Sequence, residues 1–330
     1  MKFKSYKDLG QDIQNNIHKL QGEGYDLVVG IPRSGMIPAY MIGLLLNVNC
    51  TDLNSFLNNA SIKSGITRKG ARTLNTAWDA EKILLVDDSV MTGRSIRAAL
   101  EQIKDRTSRQ VTRLAIYVER DSIKFIDIFF EIAPGPRVFQ WNIFHHPVLG
   151  SSYVELEGVL CLEPDRGVIQ EEERYRDYLM NAKPLVLPTY KLHTIVTHRS
   201  EEYRELTLRW LEKHNIEHDH LIMSDASSTR KAEDFEEYAA QLANHYGSSI
   251  ARLFFAKKEL MARRVAEHSG KPVFCLESSE MCHPGMGSVA KNGKQHLVRV
   301  AMRKLRRKFL LMTPDSTKQV MQRFYRKCFR

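Results

Sequence analysis

The stretch Ile83-Leu84-Leu85-Val86-Asp87-Asp88-Ser89-Val90-Met91-Thr92-Gly93-Arg94-Ser95 decides the fold of this 330-residue chain. Its first four residues are apolar and mostly branched, which is typical of a buried parallel strand. Two carboxylates follow, then a short turn rich in Ser, Thr and Gly, and then residues 96–100 open a helix. Such a turn at a helix N-terminus presents backbone N–H groups and hydroxyls to a phosphate. Adjacent acids beside it favour a ligand that also offers hydroxyls or a metal, and a sugar phosphate meets both demands.

This stretch resembles the 5-phosphoribosyl-diphosphate (PRPP) signature of type I phosphoribosyltransferases, in which an apolar strand, two acids and a loop ending Thr-Gly-x-Ser follow one another. The resemblance implies that Asp87 and Asp88 are catalytic, hold the ribose 2- and 3-hydroxyls, and meet Mg²⁺ only through the PRPP-bound ion. It implies that the 5-phosphate is wrapped by Ser89, Val90, Met91, Thr92, Gly93, Arg94 and Ser95. The family pattern often has a second Gly where this chain has Arg94.

A second apolar strand, residues 26–31, lies roughly fifty residues upstream of the two acids and ends in Pro32-Arg33-Ser34-Gly35. In the family, the loop after the first core strand binds pyrophosphate through backbone amides and a nearby cation. Arg33, Ser34 and Gly35 match that loop. Gly35 lets the backbone approach closely, and the Arg33 guanidinium can pair with a diphosphate through two parallel hydrogen bonds.

The polar stretch between Asn54 and Asp79 is the third candidate element of the site. In the family this position is a mobile lid that closes over the diphosphate. Arg68, Lys69 and Arg72 are candidates to neutralise the leaving pyrophosphate, and Lys63 is a weaker one. Excluding water matters because a ribosyl cation would otherwise be hydrolysed. The alternative is a solvated loop with incidental charges.

The first half alternates helical and apolar-strand segments, which predicts an α/β fold with a parallel sheet covered by helices on both faces. The predicted helices are 6–20, 36–48 and 95–104, and the predicted strands are 27–31, 83–86 and 112–118. Ligands of such sheets bind beyond the carboxyl ends of the strands, where both loops fall. The chain length suggests about two domains, and we expect the phosphoribosyltransferase domain to span residues 1–150.

The segment 131–150 ends this domain and is rich in aromatic and histidine side chains. Phe139, Trp141, Phe144, His145 and His146 either line an acceptor pocket or form a hydrophobic seam between domains. We favour the seam, because aromatic clusters between domains more often bury surface than bind ligands.

The second half carries a different resemblance. Residues 153–161 and 193–199 resemble the first two motifs of haloacid-dehalogenase-like (HAD-like) phosphatases, namely a strand with two acids spaced by one residue and a strand ending in Thr. The resemblance implies a HAD-like Rossmannoid domain over residues 151–290. Its site residues would be Glu155, Glu157, Thr197 and, as the phosphate-binding lysine, Lys231.

The departures from that pattern predict a domain that has lost its phosphatase reaction. The family uses Asp-x-Asp, the first acid as nucleophile, whereas this chain has Glu155 and Glu157. One extra methylene moves each carboxylate by about 1.5 Å, more than in-line attack tolerates. Lys257 falls where the family has metal-binding acids, and its charge would repel Mg²⁺.

Residues 291–330 hold thirteen Lys and Arg and one acid, a net charge of +12, so the whole positive excess of the chain's +10 lies there. Apolar residues recur among them at helical spacing, from Leu297 to Met312, which predicts a basic amphipathic helical tail. Such a helix either docks on its own domain or binds an anionic membrane surface or acidic polymer. Nucleic acid is disfavoured, because no binding motif accompanies the charge.

Five scattered cysteines without a Cys-x-x-Cys pair argue against a disulfide framework. No apolar segment of a signal peptide follows residues 1–5. We therefore expect a cytoplasmic protein, with the tail allowing peripheral contact with the inner membrane face.

A phosphoribosyltransferase joined to a phosphatase-like domain resembles the two-domain ribofuranosyltransferases of bacterial surface-glycan assembly. This resemblance implies a Mg²⁺-dependent transferase, that is a glycosyltransferase of polysaccharide biosynthesis, which moves 5-phosphoribose from PRPP to a glycan and releases pyrophosphate. Two alternatives stay open: a nucleobase salvage phosphoribosyltransferase of orotate or purine type, and a regulatory protein that senses PRPP without turnover.

Overall fold

The computed structural model describes residues 1–63, 65, 70, 72–224 and 235–285. Four sequence predictions lie outside these ranges: the roles of Arg68, Lys69 and Lys231, and the basic helix of residues 291–330. Two larger sheets, whose strands are mostly parallel, organise the described chain, one in each half. Within these ranges, no helix combines the length and hydropathy needed to cross a bilayer.

The strands of the first half are β1 (Lys2–Lys4), β2 (Leu27–Gly30), β3 (Asn49–Asp52), β4 (Lys82–Val90), β5 (Gln110–Val118), β6 (Ile128–Ile132) and β7 (Arg137–Phe139). The α-helices of this half are α1 (Tyr6–Asn16), α2 (Met36–Leu46), α3 (Leu53–Leu57) and α4 (Arg94–Lys104). The five-stranded sheet has the order β3-β2-β4-β5-β6, and all of its pairs are parallel. Strands β1 and β7 form a separate parallel pair.

Helices cover both faces of this sheet, because successive residues of its buried strands point to opposite sides. On one face, Leu85 of β4 packs with α3 and α4. On the other, Leu84 of the same strand packs with α1 and α2. The predicted α/β architecture is therefore present in the first half.

Several details differ from the sequence prediction. Helix α1 ends at Asn16, and residues 17–19 continue as a 3₁₀ turn. Strand β4 does not stop before the two acids but runs on to Val90, because Ser89 and Val90 pair with Tyr117 and Val118 of β5. The short polar strand β3 is an addition that the sequence did not predict.

The strands of the second half are β8 (Ser152–Glu155), β9 (Leu192–Ser200), β10 (His218–Ser224), β11 (Leu253–Ala256), β12 (Val273–Cys275) and β13 (Glu280–Cys282). Its helices are α5 (Arg166–Ile169), α6 (Glu172–Asn181), α7 (Arg204–Lys213), α8 (Phe235–Ser248) and α9 (Glu259–Ser269). The sheet order is β10-β9-β8-β11-β12-β13, and only the edge pair β12–β13 is antiparallel. One face packs against α7 and the other against α8 and α9.

The segment after β7 forms a seam between the two halves, as the sequence favoured. Phe139 and Trp141 belong to the core of the first half. Ile143 is buried in the core of the second half, where Phe144 also packs. The chain therefore passes from one core to the other within a few residues.

Candidate functional site

Asp87 and Asp88 lie near the carboxyl end of β4, the middle strand of the first sheet, and both are buried, with 7% and 3% of their surface exposed. The backbone N–H of Asp88 donates to Oδ1 of Asp87 at 3.0 Å. Burial and the neighbouring Asp88 carboxylate raise the pKa of Asp87 well above its usual range. Two acids at this position are the arrangement that accepts hydrogen bonds from adjacent hydroxyls.

Asp88 joins three parts of the site. Ser34 Oγ donates to Asp88 Oδ1 at 2.8 Å, and the Trp141 indole N–H donates to Asp88 Oδ2 at 2.7 Å. The loop of residues 32–35 and the seam segment therefore meet at one carboxylate. The sequence motifs indicate Ser34 as a site residue. Trp141 was considered for an acceptor pocket or a seam, with the seam favoured, but its bond to Asp88 was not predicted, since no motif marks a contact across 53 residues.

The loop before α2 packs tightly on β4. A Cβ on Gly35 would lie 2.5 Å from the Ile31 carbonyl oxygen and 2.9 Å from that of Val86, so only glycine fits there. The Pro32–Arg33 peptide bond is cis. Arg33 itself is exposed, which leaves its guanidinium accessible to an anion.

The turn between β4 and α4 packs against the 3₁₀ segment of residues 120–125. Gly93 has φ +72°, and a Cβ there would lie 2.3 Å from the Phe125 ring. Ser122 Oγ donates to the Met91 carbonyl at 2.6 Å. Thr92 and Arg94 remain exposed above this support, so their polar groups are accessible to a phosphate at the start of α4.

Arg72 lies away from the two loops that the sequence motifs assign to PRPP. Its guanidinium pairs with Asp26 at 2.9 Å and with Glu81 at 3.6 Å. These acids precede β2 and β4, and therefore mark the amino ends of the strands, opposite to Asp87. In this arrangement Arg72 therefore lies at the opposite ends of the strands from Asp87. Its assignment to the leaving pyrophosphate stays a prediction. Lys63 is exposed.

The acidic pair of the second half lies at the end of strand β8, and its second member, Glu157, is paired with a cation of the same half. The Thr197 hydroxyl and the Arg199 Nε–H donate to the two oxygens of Glu157, at 2.7 and 2.6 Å. Arg199 is only 1% exposed. The hydroxyl of Thr197, which the sequence predicted to bind phosphate, therefore donates to Glu157 in this structure.

Glu155 and Lys257 meet at the ends of β8 and β11. The backbone N–H of Lys257 donates to Glu155 Oε2 at 2.7 Å, and its ammonium pairs with Glu163 at 2.5 Å. Burial, with Glu157 and Glu163 nearby, raises the pKa of Glu155 to about 7. The Lys257 chain lies against Gly158, whose added Cβ would fall 2.1 Å from Lys257 Cδ. Within the described ranges, no three His, Cys, Asp or Glu side chains group where they could hold a metal ion.

Residues 4–136 match the family model of the phosphoribosyl transferase domain. The chain is 29% identical over 160 residues to the xanthine-guanine phosphoribosyltransferase of Chromohalobacter salexigens, covering 46% of this chain and 86% of that relative. The N-terminal part of the chain is thus a type I phosphoribosyltransferase domain.

Two further similarities concern the same part of the chain. It is 28% identical over 101 residues to the bifunctional protein PyrR of Caldicellulosiruptor saccharolyticus, covering 28% of this chain and 56% of that relative, or about half its length. The solved xanthine-guanine-hypoxanthine phosphoribosyltransferase of Helicobacter pylori covers 43% of this chain at 18% identity, with a TM-score of 0.34, and 92% of that structure is covered.

Proposed function

We propose that the N-terminal domain transfers 5-phosphoribose from PRPP to an acceptor and releases pyrophosphate. The observation that carries this proposal is the hydrogen bond from Ser34 to Asp88, which joins the loop of residues 32–35 to the two buried aspartates. A ligand with a diphosphate on one side of a pentose and a phosphate on the other fits loops placed on either side of such a pair.

Each group of PRPP has a partner in this proposal. Asp87 and Asp88 accept hydrogen bonds from the ribose hydroxyls, and the turn of residues 89–95 binds the 5-phosphate through backbone N–H groups and hydroxyls. Arg33 and the backbone of residues 34–35 bind the diphosphate. The carboxylate oxygens suit Mg²⁺, which would stabilise the negative charge of the departing pyrophosphate. The C1–oxygen bond to pyrophosphate breaks while C1 bonds to the acceptor, which loses its proton.

We propose a nucleobase nitrogen as the acceptor. The support is the similarity to a xanthine-guanine phosphoribosyltransferase along 86% of that relative. The glycan acceptor expected from the sequence gains no support from these similarities. A hydroxyl acceptor remains an outcome of the test below.

The test measures pyrophosphate release by the full chain with Mg²⁺ and PRPP. Single acceptors are xanthine, guanine, hypoxanthine, orotate and a hydroxyl-bearing oligosaccharide. Release with one of the bases supports the proposal. Release only with the oligosaccharide contradicts the acceptor assignment, and binding of PRPP without release in any mixture favours the PRPP-sensing regulator.

We also propose that residues 151–290 form a HAD-like domain without phosphatase activity. The order β10-β9-β8-β11-β12, with acids at the carboxyl end of β8 and Thr197 in β9, supports the resemblance. The pairing of Glu157 with buried Arg199, and of Lys257 with Glu163, supports the loss of activity. Phosphate release from phosphoribosyl compounds by the full chain with Mg²⁺, abolished by Glu155→Gln, would overturn this part.

A further inference from the structure

The seam segment carries one residue into the proposed PRPP site. Trp141 stacks on Phe139 with ring centroids 4.8 Å apart, and Phe139 stacks on Tyr117 at 5.3 Å. This stack fixes the plane of the indole. Its N–H then points at Asp88, whose carboxyl is almost fully buried.

Asp88 keeps acceptor capacity beside Trp141. Each carboxylate oxygen has about two acceptor positions, and Ser34 and Trp141 each contact a different oxygen. The carboxylate therefore keeps acceptor capacity for a ribose hydroxyl. Because Trp141 and Ser34 are neutral donors, they orient the carboxylate without cancelling its charge.

The segment that carries Trp141 packs against the second half through aromatic side chains. Phe144, three residues further on, packs on Phe255 of β11 at 5.2 Å, and Phe255 contacts Phe274 of β12 at 5.9 Å. Phe3 of β1 contacts Phe274 at 5.3 Å. We name Phe3, Phe144, Phe255 and Phe274 the seam cluster.

We propose that Trp141 is a positioning residue for Asp88, and that the second half braces it through the seam cluster. The second half thereby acts on the transferase site without chemistry of its own. This inference rests on the proposed PRPP site, and it assigns to the second half a role that does not need phosphatase activity.

The first test replaces Trp141 by Phe, which keeps an aromatic ring in the stack and removes the N–H donor together with one ring of the indole. We expect the Kd for PRPP with Mg²⁺, measured by isothermal titration calorimetry, to rise about tenfold, in keeping with the loss of a hydrogen bond to a charged group. The melting temperature should change little. An unchanged or lower Kd would overturn the positioning role.

The second test compares two neighbours on one strand. Phe255 faces the seam cluster, whereas Phe254 faces Tyr153 and Tyr246 on the other side of the sheet, and both have no exposed surface. Phe255→Leu and Phe254→Leu should lower the melting temperature by similar amounts. Only Phe255→Leu should raise the Kd for PRPP, and equal effects of the two variants on Kd would overturn the brace.

A third measurement needs no ligand. The chain has three tryptophans, so its indole N–H signals in an NMR spectrum can be assigned with the Trp141→Phe variant. Asp88→Asn and Phe255→Leu should both move the Trp141 signal, and a signal that neither variant moves contradicts the inference. If the wild-type chain shows this coupling but binds no PRPP, the proposed function fails while the contact between the halves stands.

Discussion

Asp87 and Asp88 in the first half and Glu155 and Glu157 in the second are acidic pairs at the same kind of place, near the carboxyl end of a strand inside a parallel sheet. Their surroundings differ. The donors on Asp88 are a hydroxyl and an indole, both neutral. Glu157 pairs with the guanidinium of Arg199.

Under the proposed function, the different partners of Asp88 and Glu157 indicate what allows a carboxylate pair to bind a ligand. Neutral donors orient a buried acid and leave its charge for a ligand or a metal. A buried guanidinium satisfies the charge permanently, and removing it leaves an uncompensated charge in a poorly solvated place. A position at the carboxyl ends of the strands is therefore not sufficient for ligand binding. The groups that pair with the acids determine whether their charge remains available to a ligand.

The largest effect is expected where the internal pair of the second half is broken. Arg199→Met should lower the free energy of unfolding by about 3 kcal/mol, because the mostly buried Glu157 then loses its cation. Urea denaturation measures the loss. The matched control is Arg209→Met, whose exposed pair with Glu205 should contribute only about 0–1 kcal/mol. Similar losses in the two variants would contradict the comparison.

Neutralising the first pair should abolish binding rather than stability. Asp87→Asn combined with Asp88→Asn should weaken PRPP binding about a hundredfold, equivalent to about 2.7 kcal/mol. The reason is that an uncharged amide does not accept hydrogen bonds from the ribose hydroxyls as well as a carboxylate does. Calorimetric titration checks this. Asp127→Asn, at the Arg113 ion pair on the same sheet, is the control and should keep the affinity. Unchanged affinity in the double variant would remove the site assignment.

The turn between β4 and α4 gives a smaller effect. Gly93→Ala forces a Cβ against Phe125 at positive φ and should cost about 2 kcal/mol of stability, with weaker PRPP binding. Gly270 has nearly the same φ, +68°, but no atom within 4 Å of its Cβ position. Gly270→Ala therefore isolates backbone strain from the clash, and should destabilise less in thermal unfolding. Equal destabilisation would show that the Phe125 contact is unimportant.

The smallest effect concerns Glu155. Its pKa, raised from 4.5 to about 7 in the fold, means that the folded chain binds a proton that the unfolded chain has released between these pH values. Stability should therefore fall as pH rises from about 5 to 8, by about 1–2 kcal/mol relative to Glu155→Gln. This is less than a fully buried side chain would give, since Glu155 keeps partial contact with solvent. Parallel urea series at these pH values test it, and identical pH dependence in both proteins contradicts it.

The sequence predicted those parts of the molecule that local pattern determines. The apolar run before Asp87 and the helix after Gly93 are present as α/β elements. Strand β3, with the polar residues Asn49–Asp52, could not be predicted, because its pairing with β2 rather than its composition makes it a strand.

The same limit applies to the candidate site. Motifs predicted the acids and the two loops as site residues. Which charged side chains lie near them depends on tertiary packing, which the motifs do not encode. Arg72 lies at the amino ends of the strands because Asp26 and Glu81 attract it there. Trp141 donates directly to Asp88, which lies 53 residues earlier in the sequence, and no local pattern encodes such a contact.

The pairing of β1 with β7 has a consequence for how the molecule melts. Phe3 and Val138 are partners in this pair and pack into the core of the second half, whereas Phe139 packs into the core of the first. Neither hydrophobic core can come apart without pulling residues out of the other. Scanning calorimetry should therefore record one cooperative heat-absorption peak in place of two independent ones.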